Sequence, residues 1–459
     1  MNRFFLASLS FDDARPFQGF SAVSRFSMSW HDRFRQWVKD RDDAPQSPPA
    51  AIANDATPQA VAPVQPETAS QAGSNAGSAD VAPPTGAIED LLLGKSFRLN
   101  AGEPVGTAAT VTYAFLDDVP DYYRPYDWAH DGFRPFTAQQ QDVTRGALAM
   151  IESYSNITFV ETAPEAAAVT LGLADLPGNW AGYAYYPTSD AVNRKPADVW
   201  IDSEWAGKTL TPGSEPYKTL IHEIGHAIGL GHPGSGLSAE EDSRKYTVMS
   251  TNSHPDAVGE PETHMLYDIA AVQHLYGANA SHAAGDTVYD FATLGNRIQT
   301  LWDGGGNDTL DLSQSPFPVR LDLGQGTFST TADNGRDNLA IAYGTTIENA
   351  IGGAGGDTLV GNAVNNRLAG GPGNDLLTGS GGANVFVFGP GWGQDTVTDF
   401  RSGTDLLDLA GTPLSFADLS IFASETATTV AYDTNLITLP GVGAVAQSDF
   451  VFAETPLLA

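Results

Sequence analysis

Between Ile221 and Pro233 the chain reads IHEIGHAIGLGHP, and its residue types and spacing suit metal-assisted hydrolysis. His222 and His226 lie four residues apart, so on a helix they project from one face, one turn apart, and both imidazoles reach a single ion. Gly229 lets the chain leave that helix through a backbone conformation that a Cβ resists, which turns His232 back toward the same ion. Three neutral nitrogens leave a fourth position open, as a catalytic zinc requires and a structural one does not. Glu223, directly after the first ligand, stands close enough to that position to take a proton from water. A bare H-E-x-x-H occurs on ordinary solvated helices; the added glycine and third histidine complete H-E-x-x-H-x-x-G-x-x-H and make the motif specific.

After His232 a polar loop leads to Tyr246-Thr247-Val248-Met249-Ser250. A methionine alone is usually core filling, but in this place Met249 is similar to the Met-turn that lies under the metal in metzincins. With DIAAVQHLYGAN (Asp268 to Asn279), these motifs make roughly residues 86 to 459 resemble a serralysin-type metzincin. That resemblance implies a secreted zinc endopeptidase with a calcium-binding tail. The fold it implies is an α+β metzincin catalytic domain followed by an all-β parallel β-roll/sandwich domain. One departure stands out. The family carries a tyrosine two residues after the methionine, an extra zinc ligand that helps stabilise the transition state, and here that position is Thr251. The competing reading is a calcium-folded surface or matrix protein with a weakly active or inactive metzincin domain; Thr251 favours it and the intact Glu223 opposes it.

The elements that must hold these residues are legible in outline. AIEDLLLG (Ala87 to Gly94) reads as a leading helix and VTYAFLD (Val111 to Asp117) as a strand. Thr137 with Gln140 is a capping-box signature ahead of an apolar face formed by Val143, Ala147, Met150, Ile151 and Tyr154. Short strands are expected at 157–161, 168–174, 182–187 and 197–203. The metal helix starts near Glu215, with Leu220, Ile221, Ile224 and Ile228 as anchors, and Asp268 to Tyr276 closes the domain. The resemblance makes Tyr183, Ala184 and Tyr185 the sheet edge above the cleft, where an extended substrate peptide would pair. His264 and His274 read as ordinary polar or core histidines, because the metal already has three ligands.

Composition sets the bounds. Twenty-three Lys plus Arg against 55 Asp plus Glu give a net charge of −32, which repels nucleic acid and anionic membrane surfaces. From residue 301 onward there are 18 acidic residues, 4 Arg and no Lys, together with 25 of the 48 glycines, a balance that suits buried calcium. With no cysteine, disulfides and thiolate metal sites are excluded. No apolar run approaches the about 18 residues of a membrane span. The N-terminus lacks a convincing Sec-type signal, whereas SDFVFAETPLLA at the C-terminus resembles a type I secretion signal. The expected organisation is an aromatic and basic segment at 1–43, either a pro-segment that docks on the catalytic domain and is later removed or a partly ordered appendage, and an Ala/Pro/Ser-rich linker at 44–85. The protease domain follows at 86–285, the calcium-binding roll at 286–400, and closing strands with the secretion signal at 401–459. Protein substrates and a type I exporter are the expected partners of a monomer found outside the cell or at its surface.

From Gly352 a nine-residue period runs GGAGGDTLV, GNAVNNRLA, GGPGNDLLT, GSGGANVFV, the GGxGxDxUx pattern of a parallel β-roll. Leu359, Leu368, Leu376 and Phe386 are expected near the inward position. Turns 18 residues apart stack on one edge, so Asp357 and Asp375 share an edge that also carries Gly371 and Gly373, while Asn366 and Asn384 share the other. Calcium is expected to bind more tightly along the charged edge. The resemblance further implies calcium at Asp303, Gly305, Gly306 and Asp308 with backbone at Gly285, and at Thr346, Glu348, Gly353, Gly355 and Asp357. DGGGND (Asp303 to Asp308) and GWGQD (Gly391 to Asp395) fall outside the regular period.

Overall fold

The computed structural model describes residues 82–453 except 93, 95–96, 125–126, 179, 188–196, 258 and 334–335. The segment at 1–43, the expected linker up to residue 81 and the last six residues of the expected secretion signal lie outside the described residues.

Strands β1 (Ala109–Phe115), β2 (Ile157–Glu161), β3 (Val169–Ala174), β4 (Gly182–Ala184) and β5 (Val199–Asp202) form one sheet in the order β2-β1-β3-β5-β4. The first four neighbours are parallel, and β4 closes the edge antiparallel to β5, with Gly182 opposite Ile201 and Ala184 opposite Val199. A parallel sheet needs cover on both faces, and VTLGLA of β3 is accordingly buried along its whole length. On one face Val111, Leu171, Val199 and Ile201 share a core with helices α2 (Ala138–Tyr154), α3 (Glu215–Ala227) and α4 (Leu266–Tyr276). Alternation sends Leu116, Ala174 and Trp200 into a second cluster on the other face. The capping box that starts α2 forms as expected: Gln140 N–H donates to Thr137 Oγ1 (3.3 Å) and Thr137 N–H to Gln140 Oε1 (3.0 Å). A short helix α1 (Thr85–Leu91) precedes the sheet and buries Ala87, Ile88 and Leu91 in the same core.

The C-terminal part holds a three-stranded sheet (Phe328–Ser329, Leu339–Ile341 and Gln299–Leu301, in that order) and two seven-stranded sheets whose short strands alternate in sequence from residue 349 to 408. Strands at 349–351, 367–369 and 385–387 lie parallel in one sheet, and those at 358–360, 376–378 and 394–397 in the other. The pairing is therefore 18 residues, Leu359 opposite Leu377 and Leu368 opposite Phe386. Those four side chains are fully buried. Leu376, expected to point inward, is instead 42% exposed. The nine-residue phase puts Leu377 inside, and the pleat then forces its neighbour out. The same sheets continue past residue 400, where Leu406–Asp408 pairs with Val385–Val387 and Asn435–Pro440 with Gln394–Val397.

The β-roll and the α/β part share a boundary built from both. Ile298, Trp302, Ala340 and Ala342 belong to the core of the α/β part. Lys245 Nζ lies 2.7 Å from Asp337 and 4.7 Å from the Phe328 ring, and Asp337 also pairs with Arg320 Nη2 across a 2.5 Å contact.

Candidate metal centre and its surroundings

Helix α3 begins where Ser214 accepts from the Tyr217 N–H and Pro216 fixes the first turn, and its apolar residues lock it into the core. It ends ahead of Gly229, whose φ is +113° and whose missing Cβ would stand 2.4 Å from the Phe97 carbonyl oxygen. That turn brings His232 back. Its Nε2 lies 3.1 Å from His222 Nε2 and 3.2 Å from His226 Nε2. Three nitrogens bound tetrahedrally at about 2.0–2.1 Å from zinc would be separated by about 3.3 Å, so the donor set fits that ion. His222 Nδ1 faces the Val248 carbonyl at 2.8 Å and His226 Nδ1 the Leu230 carbonyl at 2.7 Å. Each ring donates its Nδ1–H outward, which leaves the Nε2 lone pair for the metal.

The carbonyl that orients His222 belongs to the Met-turn, and the turn is itself held from α4. Val248 N–H donates to Asp268 Oδ2 (2.7 Å), Thr247 Oγ1–H to Asp268 Oδ1 (2.5 Å), and Met265 N–H to Asp268 Oδ2 (2.9 Å). Burial pushes the Asp268 carboxyl up to about 7, against the pull of these three donors. Met249 is fully buried, with Sδ beneath Gly225 of α3. Thr251 follows the turn on the exposed surface.

Glu223 is buried beside the three histidines, and loss of solvent raises its carboxyl to about 8 while Lys218 draws it down. Its packing partner is the edge strand. A Cβ on Gly182 would stand 2.6 Å from Glu223 Cγ and 2.8 Å from Thr219 Cγ2, so β4 lies directly on α3. Tyr183, Ala184 and Tyr185 thus run beside the centre, and the Tyr186 ring sits edge-on to His226 at 5.1 Å. In the sequence the only mark of this contact is an isolated glycine at the start of a strand pattern, a sign of close backbone approach. His264 is an internal histidine as expected: Nε2 lies 3.0 Å from the Ile221 carbonyl, Nδ1 meets the Tyr154 hydroxyl, and burial lowers it to about 4, so it is neutral. His274 is exposed on α4.

In the roll, turns stack closely enough that a Cβ on Gly373 would stand 1.7 Å from the Gly355 carbonyl oxygen and one on Gly371 2.7 Å from that of Gly353. Asp375 Oδ1 accepts the Asp357 N–H (2.8 Å), and Asp395 Oδ1 accepts the Asp375 N–H (2.9 Å). Asp395, in the turn expected to lie outside the period, therefore extends the charged edge. Asp375 Oδ2 is buried without a partner, as is Asp308 Oδ2, and an orphaned carboxylate oxygen under a carbonyl-lined turn fits a hard cation. Asp308 lies against Gly285 and Asp303, and Thr287 N–H donates to Asp308 Oδ1 (2.8 Å); Glu348, expected with Gly353, Gly355 and Asp357 at the other site, here accepts the Asp308 N–H through Oε2 (2.8 Å). The other edge is satisfied internally. Asn384 Oδ1 accepts the Asn366 N–H (2.9 Å), and Asn366 Nδ2 donates to the Glu348 carbonyl (3.1 Å) and to Asn362 Oδ1 (3.0 Å). Gly305, Gly306 and Gly355 adopt positive φ in their turns, Gly353 N–H donates to Asp357 Oδ2 (2.7 Å), and Thr346 is half-buried.

A buried glutamate among three converging imidazoles, roofed by a sheet edge and floored by a methionine turn, defines a metzincin-type metallopeptidase. Residues 273–435 match the family described as "Peptidase M10 serralysin C terminal". Serralysin G of Dickeya chrysanthemi is 37% identical over 371 residues, covering 67% of this chain and 74% of the relative. A serralysin of Photorhabdus laumondii is 34% identical over 378 residues, covering 72% and 77%, and the metalloprotease AprA of Pseudomonas entomophila 36% over 352 residues, covering 66% and 72%. The chain belongs to the serralysin family.

Proposed function

We propose that this protein is a secreted zinc endopeptidase whose roll folds around calcium. The observation that carries this reading is the convergence of three Nε2 atoms at 3.1–3.2 Å next to a buried Glu223, under an edge strand. Bound zinc supplies a Lewis acid that polarises the scissile carbonyl and acidifies water. His222, His226 and His232 would hold it, with their rings fixed by the Val248 and Leu230 carbonyls at the first two. Glu223 accepts the proton of the attacking water and returns it to the leaving amine. The edge position of β4 suits pairing with an extended peptide, so protein substrates would be bound chiefly by backbone.

The division into a pro-segment at 1–43, linker at 44–85, protease at 86–285, roll at 286–400 and C-terminal strands with a type I secretion signal at 401–459 is part of the same proposal. A type I exporter would pass the chain unfolded, and calcium outside the cell would then fold the roll by binding between turns whose carboxylates otherwise repel. Cleavage of a denatured general protein substrate in zinc and calcium, set beside Glu223→Ala, tests the core of it. Wild type is expected to cleave and the variant to lose about 10²–10⁴-fold. Thr251 keeps a second reading in view, a binding protein with little activity: it takes over if neither protein cleaves although both bind zinc.

A further inference from the structure

The third zinc ligand lies in a loop, and the structure shows what holds that loop. Two residues before His232, Leu230 forms an antiparallel bridge with Leu92, and Gly231 N–H donates to the Leu91 carbonyl at 2.7 Å. Beyond it, Gly234 N–H donates to Asp90 Oδ2 at 2.5 Å and Gly236 N–H to Asp90 Oδ1 at 3.0 Å. All four contacts come from the end of α1, and they straddle His232. The loop also closes onto the carboxylate sterically: a Cβ on Gly234 would stand 2.4 Å from Asp90 Oδ1, and one on Gly236 2.9 Å from the same atom. Helix α1 is in turn fixed by Ala87, Ile88 and Leu91, which are buried in the core of the α/β part.

We infer that Asp90 is a positioning residue for the metal centre, a carboxylate clamp that fixes the backbone on the far side of His232 so that its Nε2 meets those of His222 and His226. Helix α3 places the first two ligands at a rigid one-turn spacing, so they need no such help. His232 has left the helix. Two charge-assisted hydrogen bonds to one carboxylate constrain both the position and the direction of the following turn, as single neutral bonds would not. The clamp also gives α1 a role in function. Because α1 is part of what assembles the zinc site, processing that keeps the centre intact must leave residues 85–92 attached.

The inference rests on the proposal that the three histidines bind zinc, and the test separates the two. In the full-length protein with calcium present, zinc affinity is measured by competition with a chromogenic chelator for wild type, Asp90→Ala, Asp90→Asn, Glu89→Ala and His226→Ala. The visible spectrum of the cobalt-substituted form is recorded for each. Asp90→Ala is expected to weaken zinc binding about 10–100-fold, the usual cost of losing a group that orients a ligand. The cobalt bands should shift in position and intensity as the third nitrogen moves. Asp90→Asn, which keeps one acceptor oxygen, should fall between Asp90→Ala and wild type. Glu89→Ala removes the same charge from an exposed site on the same helix and should match wild type. Wild-type zinc affinity and an unchanged cobalt spectrum in Asp90→Ala would overturn the clamp, as would an equal loss in Glu89→Ala. If His226→Ala binds zinc as tightly as wild type, the zinc assignment itself fails.

Discussion

Glu223 works in a space that one missing methyl group makes. Because β4 rests on α3 at Gly182, the side chains of Glu223 and Thr219 both lie against the edge strand. Gly182→Ala would place Cβ 2.6 Å from Glu223 Cγ, so either the glutamate or the strand must move. A displacement of about 1 Å at a reacting group can cost on the order of 10²-fold in rate. We expect kcat/KM on a peptide substrate to drop by about that factor while zinc affinity, measured by chelator competition, stays at the wild-type value; equal loss of both would mean that Gly182 supports the helix rather than the base. The motif made His222, Glu223, His226 and His232 legible at this scale, because a helix converts spacing into geometry. Gly182, Asp268 and Asp90 act through contacts that sequence distance hides: Asp90 and Gly234 are 144 residues apart.

At the scale of elements, the nine-residue period predicts the roll, and its phase decides which leucine is inside. Leu377 is fully buried and Leu376 is 42% exposed, although they are adjacent and identical in type. Leu377→Ala should therefore cost about 2–5 kcal/mol of stability and Leu376→Ala within about 0.5 kcal/mol of nothing, as read from denaturant unfolding in calcium. The charged edge makes a second prediction. Burial raises Asp375 to about 6 and Asp395 to about 8, in each case with a neighbouring carboxylate adding to the shift. Groups whose folded pKa lies above the unfolded value bind protons more tightly when folded, so their contribution is fully present near pH 4 and lost as pH rises through about 6 to 8. In chelator, whatever folded roll protons sustain in place of calcium should be most populated near pH 5, and its melting temperature by circular dichroism should fall between about pH 5 and pH 8. Saturating calcium, which takes the place of the proton, should abolish that fall. A roll whose chelator melts are flat over this range would contradict it. The period itself was readable because each repeat is a local unit; the place of Asp395 on the same edge was not, since its turn arrives 20 residues after Asp375 and breaks the regular count.

Across the whole molecule, the calcium-binding roll and the protease are joined at Asp337. Its carboxylate meets Lys245, one residue before the Met-turn segment, and Arg320, one residue after Val319, whose N–H donates to Asp357 in the first turn of the regular repeat. Asp337→Ala leaves Lys245 buried without its main partner, and the cost should lie near the lower end of the about 3–5 kcal/mol seen when a buried pair loses one member, because the Phe328 ring still faces the ammonium. Calorimetry in saturating calcium should then show the protease and roll melting apart, where wild type melts in one transition; a single transition in the variant would assign the coupling to the shared apolar core instead. What the sequence determined by itself is what local periodicity can encode: a metal helix with its ligands in place, an α+β domain followed by a nine-residue roll, and an acidic surface without cysteine. The tertiary structure alone decided which strand covers the glutamate, which carboxylates hold the Met-turn and the loop of the third ligand, and which ion pair ties roll to protease. Each of these depends on groups brought together from distant parts of the chain, where burial, steric contact and desolvation act and sequence spacing carries no record of them.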